Sequence, residues 1–253
     1  MVQLRGGLRL APFLLERRLK IAICTPSRGG MVHFEHAESV RIVMDQAKAK
    51  GAQVARLTHK GSSHQPRNRN ILTARALHWG ADVVVMWDSD IALPDGQEAM
   101  FWRLVSHGED CVAAIPQKRK GWHDEAPVLP MRQQGGAIDQ RGLLPCDAVP
   151  TAFMAIRRGA FERLDQRLPY CWHPKAEPEI WPHLRRYFDY RPVALSGDVR
   201  AQYESMGINP DEVYADEGED YSFCHALTEA GGSVWADAAI GLVHFEGMTA
   251  HDY

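Results

Sequence analysis

The segment from Asp82 to Trp87 restricts the fold of this chain more than any other. After its first residue it contains three valines, a methionine and a tryptophan, without the polar alternation of a half-exposed strand. Such a run is typical of a strand that is covered on both faces, as in a parallel sheet with helices on either side. It stops at Asp88-Ser89-Asp90, so two carboxylates stand at the end of a buried strand.

Two predicted strand–helix units precede this run. In order they are a strand at 19–26, a loop at 27–30, a helix at 35–50, a strand at 53–58, a loop at 59–65 and a helix at 68–79. Gly80 stands where glycine commonly ends a helix. Three strands that alternate with two helices within about 70 residues predict an α/β, Rossmann-like domain with a mostly parallel central sheet flanked by helices.

The second half of the chain is less regular. Its predicted elements are a helix at 98–107, strands at 111–115 and 148–156, helices at 158–168 and 221–230, and one or two strands within 233–243. Residues 116–146 carry only a weak hairpin signal near Gly135-Gly136. Residues 169–213 are longer than a usual structureless connection, so we expect a functional loop or an acceptor-binding insertion there.

Composition excludes several classes of protein. A net charge of -3 provides neither a duplex-binding surface nor a polybasic membrane anchor. Five cysteines without a CxxC spacing argue against a disulfide framework and a thiolate zinc site. The apolar patch from Leu8 to Leu15 is too short to span a membrane and lacks a cleavage site. We therefore expect a cytoplasmic protein in which residues 1–18 form a loosely ordered leader.

The Asp88-Ser89-Asp90 tripeptide is the first candidate site. Ligands gather at the carboxyl ends of strands in such sheets, and two carboxylates two residues apart suit a hard cation such as Mg²⁺ or Mn²⁺. The cation would in turn neutralise a departing diphosphate. The same tripeptide is also common in turns, where aspartate bonds its own backbone.

Two later motifs carry further polar groups. Glu219 and Asp220 open a predicted helix, where they suit a general base or simply complement the helix dipole. His244 ends an apolar strand, where a neutral imidazole would complete a metal shell or serve only a structural role.

Basic and polar residues near the first two helices complete the candidates. Arg69 stands in the first turn of the second predicted helix, where arginine and helix N–H groups suit a diphosphate or form a solvated cap. Thr25, Pro26 and Arg28 follow the first strand and would line a pocket for a base and ribose.

The order of these motifs resembles the GT-A superfamily of glycosyltransferases, in particular its family 2-like members that contain a DxD motif. The resemblance rests on Thr25-Pro26, on Arg69-Asn70 before an apolar strand and DxD, on the strand and basic pair at 149–158, on Gly218-Glu219-Asp220 and on His244. It covers residues 20 to 247 approximately. It divides the predicted catalytic domain, 19–247, into a donor half at 19–115 and an acceptor half at 116–247, with a tail at 248–253.

The resemblance implies a metal-dependent enzyme that transfers a sugar from a UDP- or GDP-sugar to an acceptor hydroxyl, with Mn²⁺ or Mg²⁺ as cofactor. Asp88 and Ser89 would lie at the donor, Asp88 would also approach the cation, and Asp90 would contact the cation directly. His244 would be a third metal ligand. Asp220, with Glu219 beside it, would activate the acceptor in an inverting reaction, and the donor phosphates would lie near Arg69.

Two other functions are compatible with the pattern. A nucleotidyltransferase that acts on a sugar phosphate would carry a glycine-rich loop with a basic residue directly after the first strand, and residues 27–30 resemble that loop only faintly. An inactive nucleotide-sugar-binding module would not need the candidate catalytic groups, which this chain retains. The aromatic residues of the irregular segment would stack on a sugar or base, or form a satellite core; they are Trp172, Trp181, Tyr187, Phe188 and Tyr190.

Overall fold

The structure is a computed structural model that describes residues 18–61, 64–115, 132–133, 136–174, 176–195 and 197–245. Its strands are β1 (Lys20–Arg28), β2 (Gln53–Gly61), β3 (Val83–Trp87), β4 (Ile91–Ala92), β5 (Cys111–Ala114), β6 (Arg132–Gln133), β7 (Leu143–Ala148), β8 (Phe153–Arg157), β9 (Arg191–Ala194), β10 (Tyr214–Glu217), β11 (Val234–Asp237) and β12 (Val243–His244). Its α-helices are α1 (Phe34–Ala49), α2 (Gln65–Trp79), α3 (Ala99–Ser106), α4 (Arg158–Asp165), α5 (Gly197–Ser205) and α6 (Glu219–Glu229). Short 3₁₀ helices cover Pro178–His183 and Pro210–Glu212.

The central sheet has eight strands in the order β2-β1-β3-β8-β5-β11-β7-β6. Strands β8 and β7 pair antiparallel with their neighbours, and the other six strands point the same way. The predicted α/β fold with a mostly parallel sheet flanked by helices is confirmed. Because β8 is reversed, the turn before it meets the carboxyl ends of β1 and β3 at one edge of the sheet.

Apolar side chains alternate between the two faces of this sheet. Along β3, Val84 and Met86 pack with residues of α2, α4 and α6, whereas Val83, Val85 and Trp87 pack with residues of α1 and α3. All five β3 residues are buried, as the apolar run predicts. Among the described residues, no helix is long and apolar enough to cross a membrane.

Several predicted boundaries are wrong. Strand β1 continues through Arg28 and β2 through Gly61, because the two strands pair in register to their ends, so residues 27–28 and 59–61 are not loops. The single strand predicted at 148–156 is two strands, β7 and β8, separated by a turn that contains Pro150. Helix α4 ends at Asp165, three residues before the predicted end.

The segment 169–213 is more ordered than predicted. It contains both 3₁₀ helices, α5, and β9, which pairs antiparallel with β10 as a separate two-stranded sheet. The predicted leader and tail, apart from residue 18, and most of 116–146 lie outside the described residues, and the division into donor and acceptor halves stays a prediction.

Candidate functional site

A cleft of about 390 Å³ opens at the carboxyl edge of β1 and β3. Six parts of the chain line it: the end of β1, the start of α2, the turn between β3 and β4, the turn before β8, the start of α6 and strand β12. The lining residues are Pro26, Gln65, Arg69, Asp88, Ser89, Asp90, Ile91, Pro150, Thr151, Ala152, Glu219, Asp220 and His244. Most candidate residues predicted from the sequence therefore share one cavity.

The Asp88-Ser89-Asp90 turn is held by backbone hydrogen bonds on both sides. The Asp88 N–H donates to the Ala152 carbonyl at 2.9 Å, and the Ile91 N–H donates to the Asp88 carbonyl at 3.2 Å. The Ser89 carbonyl accepts the His33 N–H at 2.9 Å. These bonds fix the direction of the chain after β3, so the two carboxylates have defined and separate surroundings.

Asp90 and His244 approach each other across the small β4–β12 sheet. His244 pairs with Ile91, and the Phe245 N–H donates to the Asp90 carbonyl at 2.9 Å. The Nε2 atom of His244 lies 3.5 Å from Oδ2 of Asp90, and both side chains are about one-fifth exposed toward the cleft. One carboxylate and one imidazole at this separation suit a divalent cation.

The protein does not form a complete metal cage at this point. Within the described ranges, no three His, Cys, Asp or Glu side chains are gathered closely enough to hold a metal ion. Asp88 accepts hydrogen bonds from Arg69, whereas Asp90 and His244 lie 3.5 Å apart and together fit a cation. A cation held here would take its other oxygen ligands from water and from a bound diphosphate, which is common for Mg²⁺ in phosphate sites.

Arg69 lies between the two acidic motifs. Its Nη2 atom donates to both Asp88 carboxylate oxygens, at 3.1 and 3.3 Å, and its Nη1 atom donates to Oε1 of Glu219. The Arg69 side chain is only 5% exposed, compared with 27% for Asp88 and 15% for Glu219. Burial disfavours the charge of Arg69, but Asp88, Glu219 and Asp220 outweigh that effect and raise its pKa. Arg69 therefore joins two carboxylates that are distant in the sequence.

Glu219 and Asp220 begin α6 after Gly218, where the helix dipole favours acidic side chains. Glu219 is bound by Arg69, whereas Oδ1 of Asp220 accepts the N–H of the next residue, Tyr221, at 2.9 Å. Burial raises the pKa of Asp220, and the neighbouring Glu219 charge adds to the effect. A carboxylate with a raised pKa is a better proton acceptor than an ordinary aspartate.

The residues predicted to follow β1 have different positions. Pro26 lines the cleft, but Thr25 is fully buried behind it, and its Oγ1 atom lies 3.2 Å from Nε2 of His36. Thr25 therefore supports the wall and does not reach the cavity. Arg28 is the last residue of β1, and its side chain lies outside the described part of the structure.

His36 was not predicted as a site residue. Its Nδ1 atom lies 2.9 Å from the Ile91 carbonyl, so it links β1 to the strand that follows Asp90. Burial lowers the pKa of His36 to about 4, so the ring is neutral at physiological pH. Its position four residues before Val40 places it on the buried face of α1, which is the signal that the sequence offered.

Comparisons with known proteins complete the description of the site. No protein-family model and no curated protein sequence matches the chain. Among solved structures, A197 from STIV is 16% identical with a TM-score of 0.41, and the match covers 90% of this chain and 87% of that one. GalNAc-T7, crystallised with UDP, GalNAc and Mn²⁺, is 10% identical with a TM-score of 0.48 over 91% of this chain and 44% of its own. S. aureus TarS 1-349 is 13% identical with a TM-score of 0.35 over 64% and 53%. The chain thus spans about half the length of these last two proteins.

Proposed function

We propose that the protein is a metal-dependent glycosyltransferase that uses a nucleotide-diphospho-sugar, of the UDP- or GDP-sugar type, as donor. One observation carries the proposal: a single cleft contains Asp90 and His244, whose side chains lie 3.5 Å apart, and a separate shielded carboxylate, Asp220. Asp90 and His244 are suited to bind a cation that stabilises the leaving diphosphate, and Asp220 is suited to accept the proton of the attacking hydroxyl. Glycosyl transfer from a diphosphate needs both functions in one cavity.

Each side chain has a defined part in the proposed reaction. Asp90 and His244 would hold the divalent cation, which would supply positive charge to the diphosphate leaving group. Asp220 accepts the proton of the acceptor hydroxyl while the oxygen attacks the anomeric carbon, because earlier deprotonation of an ordinary hydroxyl is too costly. Arg69 offsets one of the two negative charges of Asp88 and Glu219, which lowers the repulsion that the cleft exerts on a negatively charged donor.

The same geometry supports inversion at the anomeric carbon. Glu219 is held by Arg69, and Asp88 is held by the same guanidinium, so neither is placed as a second nucleophile. Asp220 then serves as the one base in a direct displacement. Anomeric analysis of the product by NMR tests this part: an inverted configuration is expected, and a retained configuration would exclude the single-displacement mechanism.

The nucleotidyltransferase alternative is less compatible with the first strand. Strand β1 remains paired with β2 through Arg28, so Ser27 and Arg28 belong to the strand, and residues 29–33 connect it to α1. A phosphate-binding loop of that class would carry a basic residue after the strand, and residues 29–33 contain no lysine or arginine. Release of nucleoside diphosphate, and not pyrophosphate, is therefore expected during turnover.

A donor panel with matched variants tests the proposal. The purified protein is incubated with UDP- and GDP-sugars and Mn²⁺, and donor binding is followed by thermal shift while nucleoside diphosphate release is followed by chromatography. We expect Asp90→Asn and His244→Ala to lower metal-stimulated release at least about a hundredfold, because several kcal/mol of charge stabilisation is lost. The exposed Asp95 and His78 provide the controls Asp95→Asn and His78→Ala. Equal loss in controls and test variants would refute the assignment.

A further inference from the structure

A second cavity of about 240 Å³ lies on the other side of the first turns of α2. Gln65 and Arg69 face the cleft described above, whereas Arg67 and Ile71 face the second cavity. Residues two positions apart on a helix are separated by about 200°, so the two cavities flank opposite sides of the same helix end. The chain between α4 and β9 forms the opposite wall.

The second cavity is held open by hydrogen bonds between α2 and that wall. The buried Asn70 side chain donates to the Phe188 carbonyl at 2.8 Å and accepts the Phe188 N–H at 2.9 Å. The Cys171 N–H donates to the Leu184 carbonyl at 2.9 Å, which joins two segments of that wall to each other. A cavity whose walls are fixed in this way loses little conformational entropy when a ligand binds.

The lining of this cavity combines an apolar floor with a charged rim. Ile71, Leu184 and Phe188 form the floor and are at most 1% exposed. Trp172 stands at the rim and is 71% exposed, which is unusual for so large an aromatic side chain. A floor and wall of this kind suit the apolar face of a ring-shaped ligand.

The charges at the rim favour one negative group on that ligand. Arg67 and Arg186 line the cavity together with Asp189, and Arg186 is paired with Asp189. In the described part of the chain, no carboxylate pairs with Arg67. The rim therefore has one net positive charge, and Arg67 presents a guanidinium that is suited to a carboxylate or a phosphate.

We propose that this cavity recognises the acceptor, through a ring of the acceptor that carries one acidic group; the word acceptor rests on the function proposed above. Trp172 stacks on the ring, and Arg67 binds the acidic group. Because an α-helix with its side chains is about 10–12 Å across, a ligand bound here reaches the transfer cleft only if it extends beyond that ring. The acceptor is therefore longer than a monosaccharide.

Binding of small probes tests the site without transfer. The probes are methyl β-glucuronide, glucose 6-phosphate and neutral methyl β-glucoside, measured by calorimetry and saturation-transfer NMR. We expect at least one charged probe to bind about tenfold more tightly than the glucoside, as for a hydrogen bond to a charged group. The carboxylate and phosphate probes distinguish the two kinds of acidic group. Equal affinity for all three would overturn the proposal.

Matched variants locate the bound probe. Trp172→Ala should weaken binding about tenfold. Its control is Trp181→Ala, which should leave binding unchanged, because Trp181 is a 46% exposed tryptophan of the same segment that does not line the cavity. Arg67→Gln should remove the preference for the charged probe, and Arg163→Gln is its exposed control. Binding must also persist in Asp90→Asn. If binding is lost in Asp90→Asn but kept in Trp172→Ala, the probe occupies the transfer cleft and this inference fails, although the proposed function stands.

Discussion

Replacement of Arg69 by methionine removes the charge that joins the two acidic motifs of the cleft while it keeps an apolar side chain of similar length. In the native protein the guanidinium donates to Asp88 and Glu219, and the Arg69 side chain is only 5% exposed. The variant leaves two carboxylates facing each other with Asp220 nearby. The expected result is a large loss of stability, because partly buried charges then have no counter-charge.

The magnitude follows from the exposure of the three groups. Breaking a buried ion pair by removal of one partner costs about 3–5 kcal/mol. Asp88 is 27% exposed and Glu219 is 15% exposed, so water relieves part of that cost, and we expect about 3 kcal/mol. For a chain of this size each kcal/mol lowers the Tm by about 2–4 °C, so the Tm should fall by roughly 6–12 °C.

Urea and thermal unfolding at neutral pH measure the effect, with Arg75→Met as control. Arg75 lies on the same helix and pairs with Glu177, but the two side chains are 24% and 47% exposed, so at most about 1 kcal/mol is expected. Combining Arg69→Met with Asp88→Asn and Glu219→Gln should restore most of the lost stability, because the unpaired charges are gone. A single variant no weaker than the Arg75 control, or a triple variant with no recovery, would refute this account.

Three further predictions concern titration and thiol accessibility. The raised pKa of Asp220 means that, as the pH rises, this carboxyl ionises in the unfolded chain before it does in the folded one. Asp220→Asn should therefore be more stable than the native protein at neutral pH, and this advantage should vanish below pH 3.8, as pH-dependent unfolding would show. Turnover of the same variant, measured as the rate of donor release, should fall about 10²–10⁴-fold. The pKa of His36 is lowered from 6.5 to about 4, so the unfolded chain binds a proton there before the folded chain does. The free energy of unfolding should therefore fall by about 1.4 kcal/mol for each unit that the pH is lowered from 6.5 to 4, and His36→Gln should remove that slope in acid-unfolding curves. Four of the five cysteines are buried and only Cys171 is partly exposed, so iodoacetamide should modify at most the Cys171 thiol in the native protein. Mass spectrometry would count the modified thiols, and rapid labelling of several cysteines would contradict the packing.

The first half of the fold was predictable because its pattern is local. The apolar run of β3, the helix spacing of α1 and the terminal Gly80 each encode their element within a few residues. The second half was less predictable because its elements are short and depend on distant partners. Strand β7 contains Pro145, a residue that is uncommon inside strands, so its short alternation of buried and partly exposed residues was not recognised as a strand, and it is stabilised by its pairing with β11.

The site was predictable in its members but not in their pairing. The sequence located the carboxylates of the DxD turn, those at the start of α6 and His244, all of which line one cleft. It assigned Arg69 to a phosphate, whereas the structure binds Arg69 to Asp88 and to Glu219, which is 150 residues away. A contact at that separation leaves no periodic signal, so only the three-dimensional structure identifies it.

The attachment of His244 has a consequence for how cation affinity would be measured. This residue belongs to a two-residue strand that pairs with β4 in a separate two-stranded sheet, and so short a ribbon contributes little stability of its own. Release of β12 would carry away one ligand of the proposed cation while the central sheet stays folded. The measured affinity would then be the intrinsic affinity reduced by the fraction of molecules with β12 in place. Hydrogen exchange at the Phe245 amide, which donates to the Asp90 carbonyl, would report that fraction directly and should slow when a cation binds.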